Sequence, residues 1–565
     1  MKQRLYESHF KCGIGLLAIA LCLFAASTSQ AAALIWDPGL TASGGGGGGG
    51  AWDGTGATLN WYDSTIPGDT GWVSGGNAEF DNTAGSVTAT GVTVQNMTFN
   101  SGYTLLPAST STLTLAGTTP TVTVNGAMVT FGTSTAGNCG PIVGTVGLTK
   151  DGAGTLYLDG RGATNTFSGG ITVLNGSVQF NRDSSFGAVP GATDYNNVIL
   201  KAGTTLIDNW SSTVINAFRG IRLDGTATIS DVSTGTSKWL NPITGAGGLN
   251  ISASTYTFQI AGGLNTYSGD TTIQSGTLSQ SAALGIPYGT GKGNVYIWSS
   301  ATLYNNKQSI QINGLNDGVA TSHGAGTVSL DAGNSRAVTL GDNNASGNFS
   351  GAITGTQGYI TKIGTGTQTL SGATNNYGLT TTNVTTVSAG TLNENGSIGG
   401  LTVQNSASFS AIGAALSSST LNVRGALSLQ AGSTDIFDIN SASAYDQLNV
   451  SVGAAAGTVA LGGTLQLNLN YIPAATDKFW IIQNDLSDAV TGTFAGFAEY
   501  APVFTSGGTT WEILYDADFT TLNTNPGSGN DVVLVAIPEP AALTLLFTAL
   551  AAMGGLTLVR KQRSK

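Results

Sequence analysis

Three aspartates, Asp435, Asp438 and Asp446, are the best candidates for a catalytic cluster in this chain. A pair of carboxylates can cleave a glycosidic bond when one acts as an acid and the other as a base or nucleophile, and Asp438 and Asp446 are close enough in sequence to meet. Asp435 and Asp438 are three positions apart in an alternating segment, so they should lie on opposite faces of a strand. Ordinary solvated acids are the favoured interpretation.

The remaining candidate residues point away from metal and nucleophile chemistry. The stretch 341–347 begins like a calcium loop, but Ile353 stands where an EF-hand requires Glu, so an Asn-rich turn is favoured. His323 has no evident nucleophile partner, and Cys139 is the one cysteine outside the N-terminal apolar segment, which excludes an intrachain disulfide and a structural zinc site. The sequence therefore predicts no catalytic residue, no metal and no cofactor.

The composition indicates a β-rich protein with many turns. Gly occupies 83 of the 565 positions and only 9% of the residues are charged, against about 25% charged residues in a typical soluble domain. Short Val, Ile and Leu alternations between Gly and Asn are typical of all-β folds. Seven of the 20 basic residues and one of the 31 acids lie at the two ends, so the rest of the chain carries a net charge of −17. This acidity excludes nucleic acid as a partner.

The N-terminus reads as a secretory signal peptide, 1–33. Three basic residues precede the uncharged run 12–26, and small residues suitable for signal peptidase follow it. An uncleaved anchor is the alternative. The basic residues are Lys2, Arg4 and Lys11, and the cleavage region is Ala31, Ala32 and Ala33.

The C-terminus predicts a single transmembrane helix. Residues 541–559 are 19 positions without a charge, which as a helix would span about 28 Å, close to the thickness of the bilayer core. A basic tip follows at once, and by the positive-inside rule it should stay cytoplasmic while the body lies outside. The tip contains Arg560, Lys561, Arg563 and Lys565.

A tripeptide of Pro538, Glu539 and Pro540 precedes this span, and its two prolines should keep it extended and exposed. Tripeptide, span and basic tip in this order, over residues 537–565, resemble the PEP-CTERM sorting signal of bacterial surface proteins. The resemblance implies processing by an exosortase, a membrane-embedded transpeptidase-like enzyme. A permanent tail anchor is the alternative.

Three stretches of the body, 142–178, 243–278 and 353–392, align with one another. Each begins with Ile, has Gly five residues later, and carries Asn in a middle turn with an aromatic residue two positions further on. Their short alternating segments predict strands that stack as coils of a right-handed parallel β-helix, each strand pairing with its counterparts in the next coils. A set of β-sandwich domains is the alternative. The shared residues are Ile142, Ile243 and Ile353; Asn165, Asn265 and Asn375; and Phe167, Tyr267 and Tyr377.

The alternation also assigns faces in the first copy. Leu156 and Ile171 should point into the apolar column, and Tyr157 and Thr172 should face solvent.

The first copy resembles the autotransporter-associated β-strand repeat through Leu148, Lys150, Gly152, 154–156, 165–170 and Gly176. The third copy retains part of this pattern in Lys362, Gly364 and 366–367, whereas the second lacks the Lys and the Gly-Thr-Leu. The resemblance implies an extracellular β-helix stalk without catalytic residues.

Around these repeats the chain divides into further predicted regions. Residues 34–80 hold four tryptophans and a run of seven glycines, and they should form a cap that shields the first coil; stacking of the tryptophans on sugars is the alternative. The solenoid should cover 81–400, a closing β segment 401–530, and the sorting signal 537–565. The tryptophans are Trp36, Trp52, Trp61 and Trp72.

Together these features predict an all-β, elongated, exported protein without enzymatic activity. We expect a structural role, which can include adhesion, at the bacterial surface or in the extracellular matrix. The expected partners are signal peptidase, an exosortase, the membrane before processing, and extracellular polysaccharide. A carbohydrate-active β-helix enzyme that uses Asp438 is the alternative function.

Overall fold

The computed structural model describes residues 32–40, 45–135, 137–306, 308–318, 324–330, 333, 335–380, 382–412, 419–450, 457–484 and 488–537. Most of the predicted leader, and the predicted sorting signal from Pro538 onward, lie outside these ranges. Among the described residues, no helix is long and apolar enough to cross a membrane. The span predicted at 541–559 therefore stays a prediction.

The chain folds as an all-β parallel solenoid, as its repeats predict. Successive coils pair strand over strand and in register: Leu156 lies beside Val178, Val178 beside Leu206, and Leu206 beside Ile229. These partners are 22 to 28 residues apart in sequence. Inward side chains of consecutive coils consequently form one continuous apolar column.

Four sheets contain the strands. The first sheet lies in the N-terminal half and consists of Leu34–Trp36, Trp61–Asp63, Gly68–Thr70, Gly76–Phe80, Val92–Phe99, Leu113–Leu115, Thr121–Val124, Ile142–Val143, Leu148–Asp151, Ile171–Val173, Asp194–Leu200, Arg219–Leu223 and Ile243–Gly245. The second runs the length of the solenoid and consists of Gly50–Asp53, Ser86–Thr90, Thr104–Pro107, Met128–Gly132, Thr155–Asp159, Ser177–Phe180, Thr205–Asp208, Val214–Ile215, Ala227–Asp231, Thr236–Trp239, Leu249–Ile260, Thr271–Gln280, Val295–Ile297, Ala301–Tyr304, Leu315–Asp317, Thr327–Ser329, Ala352–Gly355, Asn376–Tyr377, Gly396–Ile398, Ser419–Val423, Asp446–Asn449, Lys478–Gln483, Pro502–Ser506, Thr509–Ala517 and Asp531–Ile537.

Two further sheets complete the C-terminal half, where a coil has three sides. One consists of Ile310–Ile312, Ala337–Leu340, Tyr359–Lys362, Val384–Val387, Gly400–Val403, Leu427–Leu429, Val459–Leu461 and Thr491–Gly492. The other consists of Gly347–Phe349, Thr367–Leu370, Gly390–Glu394, Ala407–Ala411, Thr434–Ile439 and Thr464–Leu469. The helical residues described are two short 3-10 turns, Asp183–Phe186 and Asp342–Asn344.

Antiparallel strands occur at both ends of the solenoid. Near the N-terminus Leu34–Trp36 pairs antiparallel with Trp61–Asp63. Near the C-terminus Asp531–Ile537 pairs antiparallel with Lys478–Gln483 and with Thr509–Ala517. The parallel stacking is therefore interrupted at the first and last coils, where the edge strands would otherwise be open to other chains.

The four N-terminal tryptophans pack on one another and on Phe80. The rings of Trp52 and Trp72 are 4.7 Å apart, those of Trp36 and Trp61 are 5.1 Å apart, and all four side chains are at most 4% exposed. Such edge-to-face contacts are favourable for aromatic rings. These tryptophans consequently offer no free ring face on which a sugar could stack.

The faces assigned in the first copy are correct for the inward residues and wrong for one outward residue. Leu156 and Ile171 are buried, as predicted. Tyr157 is only 7% exposed, because Asn181 and Arg161 lie against it and donate hydrogen bonds to its hydroxyl. Thr172 is half-buried. Side chains of the neighbouring turns, which strand alternation does not reveal, cover the outward Tyr157.

Replacing Ile171 by Ala should destabilise the solenoid locally by about 2–5 kcal/mol, because a buried aliphatic side chain is lost from a packed column. Each coil contacts only its neighbours, so strands Leu148–Asp151 and Asp194–Leu200 should lose hydrogen-exchange protection before Tyr359–Lys362 does. Thr172→Ser is the matched control, with an expected cost of about 0.5 kcal/mol or less. Equal effects of both variants, or simultaneous loss of protection along the whole chain, would contradict this arrangement.

Candidate functional site

Each aligned copy contains strands that pair with each other in adjacent coils. In the first copy Leu148–Asp151 lies beside Ile171–Val173, and Thr155–Asp159 lies beside Ser177–Phe180. In the second copy the single strand Leu249–Ile260 lies beside Thr271–Gln280. One copy thus supplies two stacked layers of the solenoid.

The shared Asn has the same role in all three copies. Its side-chain oxygen accepts the backbone N–H of the Ile that opens the copy: Asn165 from Ile142 at 3.0 Å, and Asn265 from Ile243 at 2.8 Å. In the third copy the same bond is 2.9 Å long and joins Asn375 to Ile353. All three Asn side chains are buried, as are the three aromatic residues that follow them. The residues that define the repeat therefore hold consecutive coils together.

The repeat lysines are buried in cages of backbone carbonyls. The Lys150 ammonium donates to the carbonyls of Asp151, Gly152 and Asn175 at 2.8–3.1 Å. Burial lowers the pKa of Lys150 to about 8. With all three ammonium protons directed at backbone, this lysine is a structural residue.

Lys362 of the third copy repeats this arrangement. Its ammonium donates to the carbonyls of Ile363, Gly364 and Ala389 at 2.6–3.2 Å, and burial lowers its pKa to about 8. In the second copy Ile251 lies inward on the corresponding strand, and it is buried. That copy therefore has no ammonium inside the coil at this level.

The positions that follow these cages require glycine, both for its backbone conformation and for its lack of a side chain. Gly176 and Gly390 have φ of 67° and 64°, where other residues are strained. A Cβ on Gly176 would lie 2.5 Å from the carbonyl oxygens of Gly152 and Gly154, and one on Gly390 would lie 2.4 Å from those of Gly364 and Gly366. Adjacent coils approach too closely here for any side chain.

The third copy contains a fully buried carboxyl group, Glu394. Its two oxygens accept hydrogen bonds from Asn375 at 3.0 Å and from the Tyr377 hydroxyl at 3.1 Å. Burial raises the pKa of Glu394 to about 8, and the two hydrogen bonds only partly offset this. The group is consequently protonated inside the coil at neutral pH.

The predicted carboxylate cluster is only partly assembled. Asp435 points into the column with Phe437, whereas Asp438 lies on the outward face of the same strand, as the spacing predicts. Asp446 accepts the backbone N–H of Asp438 at 2.9 Å. Asp435 and Asp446 are both buried, so the interpretation of these two as solvated acids is wrong, and their burial raises the pKa of each to about 7.

The other sequence candidates are distributed as follows. Asp342–Asn344 is a short 3-10 turn that follows Gly341, and the Asp342 carboxylate accepts a hydrogen bond from Gln311 at 2.6 Å. Cys139 is buried, and this burial raises the pKa of its thiol. His323, the Pro538 to Pro540 tripeptide and the basic tip lie outside the described residues.

Sequence reasoning missed a pair of acids beside a small cavity. Asp208 and Asp231 are 23 positions apart and lie directly beside each other in adjacent coils. Both are buried, and with Tyr256, Ser237 and other side chains they line a cavity of about 10 Å³. The two aspartates lie together only because the chain between them is one coil long. Since coil length varies along this chain, no local sequence motif could predict that they are neighbours.

Six of the exposed apolar side chains lie in the coils around this cavity. The Arg161 guanidinium lies 5.7 Å from the centre of the Trp210 ring and forms an ion pair with Asp159 at 2.7 Å. Trp210 is 38% exposed. We call the exposed apolar side chains between residues 189 and 232 the apolar patch; they are Val189, Tyr195, Trp210, Val214, Phe218 and Val232.

Three segments, 148–180, 244–279 and 360–393, match the passenger-associated-transport-repeat family. They coincide with the three aligned copies, so the repeat part of the resemblance is confirmed. The chain is also similar to the adhesin BmaC autotransporter of Brucella suis biovar 1 (strain 1330), with 33% identity over 292 residues, covering 49% of this chain and 8% of that protein. The chain thus spans less than a tenth of this relative's length. No solved structure matches the chain.

Replacing Asn265 by Ala should destabilise the second copy by about 1–3 kcal/mol, because the buried Ile243 N–H and the Gly285 carbonyl lose their partner. Local opening measured by hydrogen exchange at strand Ile243–Gly245 would detect it. Asn250→Ala, at an outward and half-buried position of the neighbouring strand, is the control. Unchanged hydrogen-exchange protection in the Asn265 variant would contradict the structural role assigned to the repeat Asn.

Replacing Glu394 by Gln should change how stability depends on pH. The folded pKa of Glu394, about 8, lies above its ordinary value of 4.5, so its stabilising contribution is complete below about pH 4.5 and is lost as pH rises toward 8. The slope from this group is at most about 1.4 kcal/mol per pH unit. Hydrogen exchange of Gly390–Glu394 should therefore become less pH-dependent in the variant between pH 5 and 8.

The control for this change is Glu79→Gln, at a half-buried position in the N-terminal part. It removes the same charge and should leave the pH dependence of Gly390–Glu394 unaltered. If both variants behave alike, the buried state of Glu394 is not responsible for the pH dependence.

Proposed function

We propose that this chain is a non-enzymatic structural protein of the bacterial surface or extracellular matrix, whose solenoid presents an adhesive side face. The observation that carries the proposal is that the polar repeat residues are occupied within the fold. Asn165, Lys150 and the matching Asn and Lys residues form hydrogen bonds with neighbouring backbone. A solenoid built this way is a rigid support, and its outward positions are available for contacts. The three matched repeats and the similarity to an adhesin support the same role.

The apolar patch is the part of the solenoid that best fits an adhesive contact. Single exposed apolar side chains are ordinary, whereas a contiguous group of them is typical of an interaction surface, and we propose that these six form such a group. Trp210 and Tyr195 add aromatic rings with polar atoms, which suit both protein and sugar partners. We propose extracellular polysaccharide as the partner class, because an aromatic ring can stack on a pyranose and the adjacent Arg161, whose side chain is partly exposed, can donate to hydroxyl groups.

The route to the surface in this proposal uses both termini. The signal peptide directs export and is removed by signal peptidase near Ala31 to Ala33. The C-terminal helix then holds the chain in the inner membrane until an exosortase processes it at the Pro538 to Pro540 tripeptide. The order of tripeptide, apolar span and basic tip in the sequence supports this route.

The adhesive role can be tested by binding the purified full chain to polysaccharide extracted from the native matrix. A Trp210→Ala variant should bind at least about fivefold more weakly, if stacking of a sugar on the ring contributes as much as the about 1–3 kcal/mol of a nucleic-acid base stacked on an aromatic side chain. Leu522→Ala, at an exposed apolar position far along the chain, should bind like the original. Release of reducing ends from the polymer, abolished by Asp438→Asn, would instead establish the enzymatic alternative.

Substituting Pro538, Glu539 and Pro540 together by Ala should leave a longer, membrane-retained chain, because the processing enzyme loses its recognition sequence. Intact-mass analysis of the mature protein and fractionation of the native cells would measure this. The matched control replaces the three residues 523–525 by Ala, which alters a turn before the last strand and should leave processing unchanged. Normal processing of the tripeptide variant would leave a simple tail anchor as the explanation.

A further inference from the structure

The acids beside the small cavity have no counter-charge. Asp208 and Asp231 are held side by side by the parallel pairing of Thr205–Asp208 with Ala227–Asp231. None of the side chains that line the cavity is basic. Burying two carboxylates without a cation is costly, so the pair must be neutralised either by protons or by a positively charged occupant.

The Asp231 carboxylate is the less well hydrogen-bonded of the two acids. It is 7% exposed, and neither of its oxygens has a hydrogen-bond partner of ordinary geometry. Burial and the nearby Asp208 raise its pKa to about 6, an effect that the amides of Ser233 and Ser254 only moderate. Asp208 is better supported: one oxygen accepts from Thr213 at 2.8 Å and from the amide of Trp210 at 3.1 Å.

The hydroxyl groups around the cavity can present oxygen atoms to a cation. The Tyr256 hydroxyl lies 3.2 Å from the second Asp208 oxygen and 3.0 Å from the carbonyl of Trp210. If its proton is donated to that carbonyl, its oxygen is free to face the cavity. Ser237 already accepts the indole N–H of Trp239 at 2.6 Å and contributes a further oxygen atom to the lining.

We propose that Asp208 and Asp231, with the hydroxyls of Tyr256 and Ser237, form a cation site that takes calcium. A cavity of about 10 Å³ has room for one water-sized species. Calcium takes about six to eight oxygen ligands in irregular sets, and two bidentate carboxylates with two hydroxyls would supply six, whereas magnesium usually keeps several waters in octahedral geometry, for which this cavity has no room.

The number of charged ligands determines the calcium affinity that we expect of this site. Among the described residues no three His, Cys, Asp or Glu side chains gather around one point, so two carboxylates carry the charge. Sites with few charged ligands in extracellular modules bind calcium with dissociation constants of about 10⁻⁴–10⁻³ M. Such a site would be filled outside the cell and empty in the cytoplasm, which matches an exported solenoid.

The local sequence explains why the site lies against the second copy. The first and third copies divide this layer into two strands at a Gly turn, whereas the second forms the single strand Leu249–Ile260. Ile251, Ala253, Tyr256 and Phe258 of that strand line the cavity. Loss of the repeat Lys and of the Gly-Thr-Leu therefore coincides with the cavity and its acids.

Terbium luminescence tests the site directly, since Tyr256 and Trp239 line the cavity and would sensitise a bound ion. The purified full chain in EDTA-treated buffer should show terbium emission that millimolar calcium displaces and that magnesium at the same concentration does not. Asp231→Asn and Asp208→Asn should each reduce the emission at least tenfold. Asp435→Asn is the matched control, a buried acid whose strand neighbours are Phe409 and Leu465, and it should behave like the original.

Hydrogen exchange separates loss of the site from loss of the fold. Calcium should increase the protection of Ala227–Asp231 in the original chain but not in Asp231→Asn, while protection of Tyr359–Lys362 stays the same in both. If calcium changes neither emission nor protection, or if Asp231→Asn responds like the original, the cation site is wrong. A response to pH alone, lost in Asp231→Asn, would show that the two acids share a proton instead.

Discussion

In-register pairing of parallel strands is the constraint on which the rest of this solenoid depends. Inward residues of the stacked strands lie beside their counterparts in the adjoining coils, as Leu156, Val178 and Leu206 do. An apolar residue at such a position extends a column, and a polar one must find hydrogen-bond partners in the surrounding turns. The buried Asn, Lys and Glu residues of the repeats are all solutions to this requirement, because each bonds to backbone or side chains of an adjacent turn.

This constraint explains which parts of the structure the sequence could predict. The inward positions of Leu156 and Ile171, the turn at Asn165 and the opposite faces of Asp435 and Asp438 follow from local alternation and from comparison of the copies. The repeat boundaries follow from the same residues. Local alternation did not predict the cover over Tyr157, because that depends on Asn181 in the next coil.

Buried acids were the least predictable feature. Composition assigns the acidic residues of such a chain to the surface, where they keep it soluble, yet Asp208, Glu394, Asp435 and Asp446 are all buried. Their burial depends on coil register, and coils here differ in length by several residues. Without that register, Asp208 and Asp231 are two unrelated aspartates in the sequence. The sequence does show, in contrast, that the second copy departs from the repeat, and this departure marks the layer that contains the cavity.

Regular and irregular copies therefore contribute differently to function. Where a copy keeps its Lys, its Gly turn and its Asn, these polar groups are bonded inside the coil, and the copy serves as support. Where the second copy loses the Lys and the turn, Ile251 fills the place of the ammonium, and the longer strand brings Tyr256 to the paired acids. The exposed Trp210 is adjacent, since its carbonyl bonds to the same Tyr256 hydroxyl. An occupant of the cavity would thus act on the turn that presents Trp210, which links this irregular layer of the core to the apolar patch on the surface.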